Sequence, residues 1–208
     1  MADSIVLFMK MRILSSEPLI ETTHNFIDSN ICGEIISKFK KTIIPSKTYD
    51  GSKNVKHPGR TSESNFLSKN DSIIKKILKK LVNHKELSLN KFEDPQIALY
   101  KIGDEYVPHS DAFDLREKKI PKHIKILGQR KMTSLIYLNT PKEGGETCFP
   151  FLDLKIKPIK GKLLFFHNCM KGTNEMHPYS MHQSLPVTKG EKWILTIWSR
   201  EKRNLKLI

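Results

Sequence analysis

Tyr106-Val107-Pro108-His109-Ser110-Asp111, followed well downstream by His182-Gln183-Ser184-Leu185-Pro186-Val187 and then Gly190-Glu191-Lys192-Trp193, is the stretch on which the reading of this chain turns. Side chains alternate along an extended strand, so His109 and Asp111 point to one face. There an imidazole nitrogen and a carboxylate oxygen can grip one metal ion. His182 can supply a third ligand from a second strand. Two histidines and one carboxylate form the facial set that suits ferrous iron and leaves coordination positions open.

Lys192 narrows the reading. Pro186-Val187-Thr188-Lys189-Gly190 reads as a turn that sends the next strand back past His182. If the two strands pair directly, His182 and Lys192 stand roughly 5 Å apart; if they lie in facing sheets, roughly 10 Å. Either span suits a short dicarboxylate such as 2-oxoglutarate, with one end on the metal and the other held by the ammonium. A charge-assisted hydrogen bond of that kind keeps a buried lysine charged.

Further segments join these in order: Tyr100-Lys101-Ile102-Gly103, Gln129-Arg130, Leu135-Ile136-Tyr137-Leu138, Gly144-Gly145-Glu146-Thr147, Phe149-Pro150, Pro158-Ile159-Lys160-Gly161 and the apolar run Leu163-Leu164-Phe165-Phe166. With them the chain resembles the iron- and 2-oxoglutarate-dependent dioxygenases of the prolyl 4-hydroxylase type, from about Phe26 to Arg200. Lysine stands at the position where many related dioxygenases carry arginine.

The resemblance implies hydroxylation of a peptidyl proline, coupled to decarboxylation of 2-oxoglutarate to succinate and CO2. Fe(II) and O2 take part, and ascorbate rescues iron oxidised in unproductive turnovers. It implies His109, Asp111 and His182 as metal ligands and Lys192, Tyr100 and Thr147 as 2-oxoglutarate contacts. Tyr106, Arg130, Trp198 and Arg60 are then contacts for the peptide substrate. Read without the resemblance, Tyr100 and Trp198 are equally core aromatics, and Thr147 an ordinary strand residue. Where the family often has a cysteine-rich stretch at the third ligand, this chain has Met181-His182-Gln183-Ser184-Leu185-Pro186. The alternative function is a related dioxygenase acting on another protein side chain or on a nucleobase; a non-catalytic binding module has no need of all four of His109, Asp111, His182 and Lys192.

The chain has 208 residues and 38% hydrophobic residues, enough for one compact catalytic domain over 1–208. Within it, 16–92 reads as helical support and 93–201 as a jelly-roll core. Ile31, Ile35, Ile36 and Phe39 after Asp28-Ser29, and Ile73, Ile74, Ile77, Leu78, Leu81 and Val82 after Asn70-Asp71, recur at helical spacing. Ser46 to Asn65 lacks the apolar content to pack as an element. It reads as a loop, and the resemblance makes it a peptide lid near 46–65 that ends in Arg60-Thr61-Ser62.

From Gln96 the pattern turns to short strands: Gln96 to Tyr100, Thr133 to Leu138, Lys162 to Phe166 and Trp193 to Trp198. The expected fold is α+β with a mainly β core, a cupin-like double-stranded β-helix or jelly roll supported by N-terminal helices.

No run approaches a membrane span, and Ile5-Val6-Leu7-Phe8-Met9 is too short for a signal-peptide core, so the chain is read as cytoplasmic. Cys32, Cys148 and Cys169 leave one unpaired in any disulfide scheme and read as reduced thiols. The net charge of +14 is either a solvated basic surface or an electrostatic footprint for nucleic acid or another acidic partner. His57 reads as a solvent-exposed loop residue. His123, His167 and His177 compete with His182 as third ligand, but none has its Pro-Val, Gly and Lys-Trp sequel.

Overall fold

The computed structural model describes residues 10–49, 54–116 and 122–202. In chain order the elements are β1 (Lys10–Ser16), β2 (Leu19–His24), α1 (Ser29–Phe39), β3 (Ile44–Pro45), β4 (Thr48–Tyr49), β5 (Asn54–Val55), β6 (Glu63–Phe66), α2 (Ser72–Lys85), β7 (Gln96–Tyr100) and β8 (Tyr106–His109). There follow α3 (Lys122–Leu127), β9 (Arg130–Tyr137), β10 (Glu143–Gly144), β11 (Thr147–Phe149), β12 (Leu154–Ile156), β13 (Leu163–His167), β14 (His182–Ser184), β15 (Val187–Lys189) and β16 (Lys192–Arg200).

Two antiparallel sheets carry the jelly roll. The larger has eight strands in the order β1-β2-β13-β9-β16-β7-β6-β3, and the smaller has four, β12-β11-β14-β8. Every residue of the central strand β16 is buried, because both faces of the large sheet are covered. The period of two divides those faces. Ile97, Leu99, Ile136, Leu163, Phe165, Trp193, Leu195 and Ile197 face outward onto α1 and α2, meeting Ile35, Ile74, Ile77 and Leu81. Ala98, Tyr100, Leu135, Tyr137, Leu164, Phe166 and Ile194 face inward, toward Phe149 and Ile156 of the small sheet.

Both expected helices form. Asp71 caps α2 by accepting from the backbone N–H of Ile73 at 3.0 Å and Ile74 at 3.4 Å. Asp28 occupies the cap position of α1 without a side-chain hydrogen bond. The four expected strands correspond to β7, β9, β13 and β16, with ends displaced by up to three residues.

The interval read as helical support also contributes strands. β2 inserts between β1 and β13, and β6 pairs with β7. β2 escaped notice because three of its four buried residues are polar: Glu21 is ion-paired with Lys85, and Thr23 Oγ1 lies 3.0 Å from His84 Nε2. The interval from Ser46 to Asn65 is likewise more ordered than a plain loop. β4 pairs with β5, residues 54–62 lead into β6, and the tip at 50–53 lies outside the described residues. Cys32, Cys148 and Cys169 are buried free thiols, and no described helix is long and apolar enough to cross a membrane.

Leu81 is fully buried where α2 meets the large sheet. Leu81→Ala is expected to destabilise the domain by about 2–5 kcal/mol through lost burial and a residual cavity. In a urea titration the midpoint should fall with the slope unchanged.

Candidate active site

The small sheet brings the three expected metal ligands together. β8 and β14 pair antiparallel with His109 directly opposite His182, ring centroids 4.4 Å apart, and Asp111 follows just beyond the end of β8. One ligand atom from each of His109, Asp111 and His182 lies within 4.8 Å of the others, and Asp111 Oδ2 is 3.7 Å from His182 Nε2. Among the described residues no other group of three such side chains meets that spacing.

Each ligand is oriented by a second partner. His109 Nδ1 is 2.9 Å from the Val107 carbonyl and His182 Nδ1 is 3.0 Å from the Ser180 carbonyl. A carbonyl only accepts, so each Nδ1 carries the proton and each Nε2 keeps its lone pair for a metal. Thr133 Oγ1 donates to Asp111 Oδ2 at 2.6 Å and accepts from Asn168 Nδ2 at 2.9 Å. Burial and the neighbouring His182 push the His109 imidazole down to about 3. Desolvation opposes ionisation of Asp111, but attraction to His182, His109 and Arg130 with the Thr133 hydrogen bond holds its carboxyl below the usual range. Two imidazoles held through Nδ1 and one carboxylate form a donor set that fits Fe(II).

Lys192 hangs from the opposite sheet into the same cleft, which settles the two spans in favour of facing sheets. It is 1% exposed, and its ammonium donates to the Gly145 carbonyl at 2.9 Å and to Ser184 Oγ while lying 4.3 Å over the Tyr100 ring. Burial pushes this lysine down to about 7 against the opposing pull of Glu146. Thr147, opposite Ser184 across β11 and β14, accepts from the Tyr137 hydroxyl at 2.7 Å. Its own hydroxyl hydrogen remains available for a further acceptor. The set fits a dicarboxylate: cation, hydroxyls and metal ligands line one cavity of about 1150 Å³.

All the other expected site residues line that cavity as well, in several cases already engaged. Arg130 gives Nε and Nη2 to both oxygens of Glu93 at 2.6 and 2.8 Å, and Arg200 Nε lies 2.7 Å from the same carboxylate. Arg130 is therefore first a member of a buried ion-pair network, its guanidinium stacked 4.0 Å over Trp198. Trp198 is 7% exposed, at once core aromatic and cleft wall. Tyr106 stacks on His109 and lies beneath Arg60.

His167 ends β13 outside the ligand group, and buried His177 meets Glu17 at 3.3 Å. His57 is exposed, and the His123 side chain lies outside the described residues.

Several supporting residues were not foreseen. Ser184 lies two residues beyond His182, so strand periodicity alone could have pointed to it. Thr133, Asn168 and Glu93 carry no local signal, because their partners are distant in sequence.

Comparison with known proteins bears on the same residues. The sequence profile of the 2OG-Fe(II) oxygenase superfamily matches residues 95–200. Prolyl 4-hydroxylase 5 of Arabidopsis thaliana is 31% identical over 212 residues, covering 90% of this chain and 70% of that protein. The viral collagen prolyl hydroxylase of Paramecium Bursaria Chlorella virus-1, solved as a 2OG complex, superposes with a TM-score of 0.70 at 34% identity, over 87% of this chain and 95% of that one. A Pseudomonas putida prolyl-4-hydroxylase shares the fold, with a TM-score of 0.60 at 18% identity over 88% and 92% of the two chains.

Thr133→Val keeps the shape and removes the hydrogen bond to Asp111. It is expected to weaken Fe(II) binding about tenfold or more, measured by chelator competition. A pH dependence follows from Lys192. The unfolded chain holds this proton up to about pH 10.4, so between that value and the folded value near 7 stability rises with pH, the opposite of a paired lysine. A carboxylate needs the charged form, so 2-oxoglutarate affinity should fall as pH rises above about 7, by up to about tenfold per pH unit. In Lys192→Arg, isothermal titration should show that slope flattened, because the guanidinium stays charged.

Proposed function

The chain belongs to the 2OG-Fe(II) oxygenase superfamily, and on that premise we propose that it hydroxylates peptidyl proline as a prolyl 4-hydroxylase. The observation that carries the reading is one cleft lined both by the His109-Asp111-His182 group and by the buried ammonium of Lys192. The similarity to Prolyl 4-hydroxylase 5 and to the viral collagen prolyl hydroxylase supports the choice of proline.

In this reading His109, Asp111 and His182 hold Fe(II), and Lys192 with Thr147 and Tyr100 holds the far carboxylate of 2-oxoglutarate. When bound, iron and co-substrate would supply the oxidising chemistry: 2-oxoglutarate loses CO2 and takes one oxygen atom of O2 to become succinate, while the other enters the substrate. The chain's own work is placement and exclusion of water. The Thr133 and Asn168 hydrogen bonds keep Asp111 in one rotamer. Trp198 on the cleft wall, with the edge and hydroxyl of Tyr106, suits a proline-rich segment, whose extended helix is preformed and loses little entropy on docking. Arg130 and Arg60 border that wall, and in this reading the segment ending in Arg60-Thr61-Ser62 serves as its lid.

Incubation of the protein with Fe(II), 2-oxoglutarate, ascorbate and proline-rich peptides should add one oxygen to peptide proline, read by mass spectrometry with stoichiometric succinate. Oligonucleotides serve as the parallel arm. Oxidation of a base with peptides untouched would replace proline by a nucleobase as the target. His182→Ala should abolish turnover because a two-ligand site cannot hold the metal, whereas His167→Ala should retain it. The reverse result would overturn the ligand assignment.

A further inference from the structure

Both faces of the Tyr106 ring are occupied. The His109 imidazole stacks on it with centroids 3.5 Å apart and planes 16° apart, and the Arg60 guanidinium carbon lies 4.8 Å from the same centroid, over the ring. An imidazole stacked that closely covers its face, so the guanidinium takes the other. Arg60 is itself held from the large sheet, where Nη2 donates to Gln96 Oε1 at 2.8 Å.

The backbone around Arg60 is fastened too. Residues 59–61 run antiparallel along β8: the N–H of Val107 donates to the Gly59 carbonyl at 2.8 Å and that of Thr61 to the Glu105 carbonyl at 3.2 Å, while Glu105 N–H donates to Thr61 Oγ1 at 2.9 Å. The approach is close. A Cβ at Gly59 would stand 2.5 Å from Val107 Cγ2.

The other end of the same tripeptide reaches the co-substrate side. Ser62 directly precedes Glu63, which pairs with Leu99, so the antiparallel register sets it beside Tyr100, and its hydroxyl lies 3.0 Å from Ser46 Oγ. Tyr100 is cross-strand partner to Lys192 and lies beneath its ammonium at 4.3 Å.

We propose that Arg60-Thr61-Ser62 is a strap that positions both ends of the site before any substrate arrives. Arg60 clamps Tyr106 against His109, and Ser62 fixes Tyr100 beneath Lys192. The inference rests on reading the triad as the iron site and Lys192 as the 2-oxoglutarate anchor. It gives Arg60 and Ser62 a role that a peptide contact does not have, because a peptide contact acts only when peptide is present. It also leaves Tyr106 only its edge and hydroxyl for substrate, since both ring faces are taken.

The test uses the full chain under anaerobic conditions with no peptide. Fe(II) affinity is measured by chelator competition, and 2-oxoglutarate is then titrated against the metal-to-ligand absorption band. Arg60→Ala should weaken metal binding about tenfold or more, as removal of an outer partner of a metal ligand does, and Arg60→Lys should recover part of it by restoring the cation. Ser62→Ala should raise the 2-oxoglutarate half-saturation severalfold with metal affinity unchanged.

Tyr106→Phe, which keeps the ring, should bind metal as the unmodified chain does, and Tyr106→Leu should not. That pair decides the matter where Arg60→Ala proves unstable. Peptide-free binding unchanged in Arg60→Ala, Ser62→Ala and Tyr106→Leu, with only the peptide Michaelis constant raised, overturns the strap. Absence of any band in the unmodified chain overturns the iron and co-substrate reading itself, and the strap falls with it.

Discussion

The cross-strand pair of His109 with His182 is the constraint to which the site is built. Strand side chains alternate, so a slip of one residue between β8 and β14 would turn one ligand to the opposite face. The register is held from the far side as well, where β11 sets Thr147 against Ser184 and Cys148 against Gln183. Ser184 in turn meets the ammonium of Lys192. One small sheet therefore fixes the spacing of two metal ligands and two hydroxyls in a single piece of geometry. The opposite wall adds the cation.

The distance between the walls depends on the glycine pair. Gly144 has φ +75°, and a Cβ there would stand 2.5 Å from the Pro186 carbonyl; at Gly145, φ +75°, it would stand 3.3 Å from Lys192 Cδ. Side chains at these positions would push the segment before β11 away from the turn that follows β14. With glycine it closes, Gly145 N–H reaching the Pro186 carbonyl at 2.9 Å and Gly145 O accepting from Lys192. Gly144-Gly145 is one of the segments that carry the family resemblance. Its physical content is this approach.

What was legible in the sequence followed from local rules. α1, α2 and the strands β7, β9, β13 and β16 announce themselves by apolar periodicity, and the candidate ligands His109, Asp111 and His182 by spacing on strands. β2 does not, because Glu21, Thr22 and Thr23 are buried in a strand whose polarity is answered by Lys85 and His84 of α2. Glu93 is the same lesson in the site. Nothing near it in sequence marks it, yet its carboxylate gathers Arg130 and Arg200, while Arg130 bears electrostatically on Asp111. A motif match can name Arg130 as a substrate contact. Only the fold shows how much of the guanidinium is spoken for.

Lys192 shows why the two sheets have to be considered together. Among the described residues its direct partners are a carbonyl, a hydroxyl and a ring face, all without formal charge, and burial lowers its proton affinity. A buried cation satisfied only by neutral groups costs folding stability, and an incoming carboxylate removes the cost. Ligand bound to the native state alone adds stability by mass action, so on the proposed reading 2-oxoglutarate would complete the core as well as the chemistry. The same logic accounts for lysine in place of a less burdensome residue. A neutral side chain would fold more easily, but on the proposed reading it would leave the far carboxylate of 2-oxoglutarate without a counter-charge at an almost fully buried position.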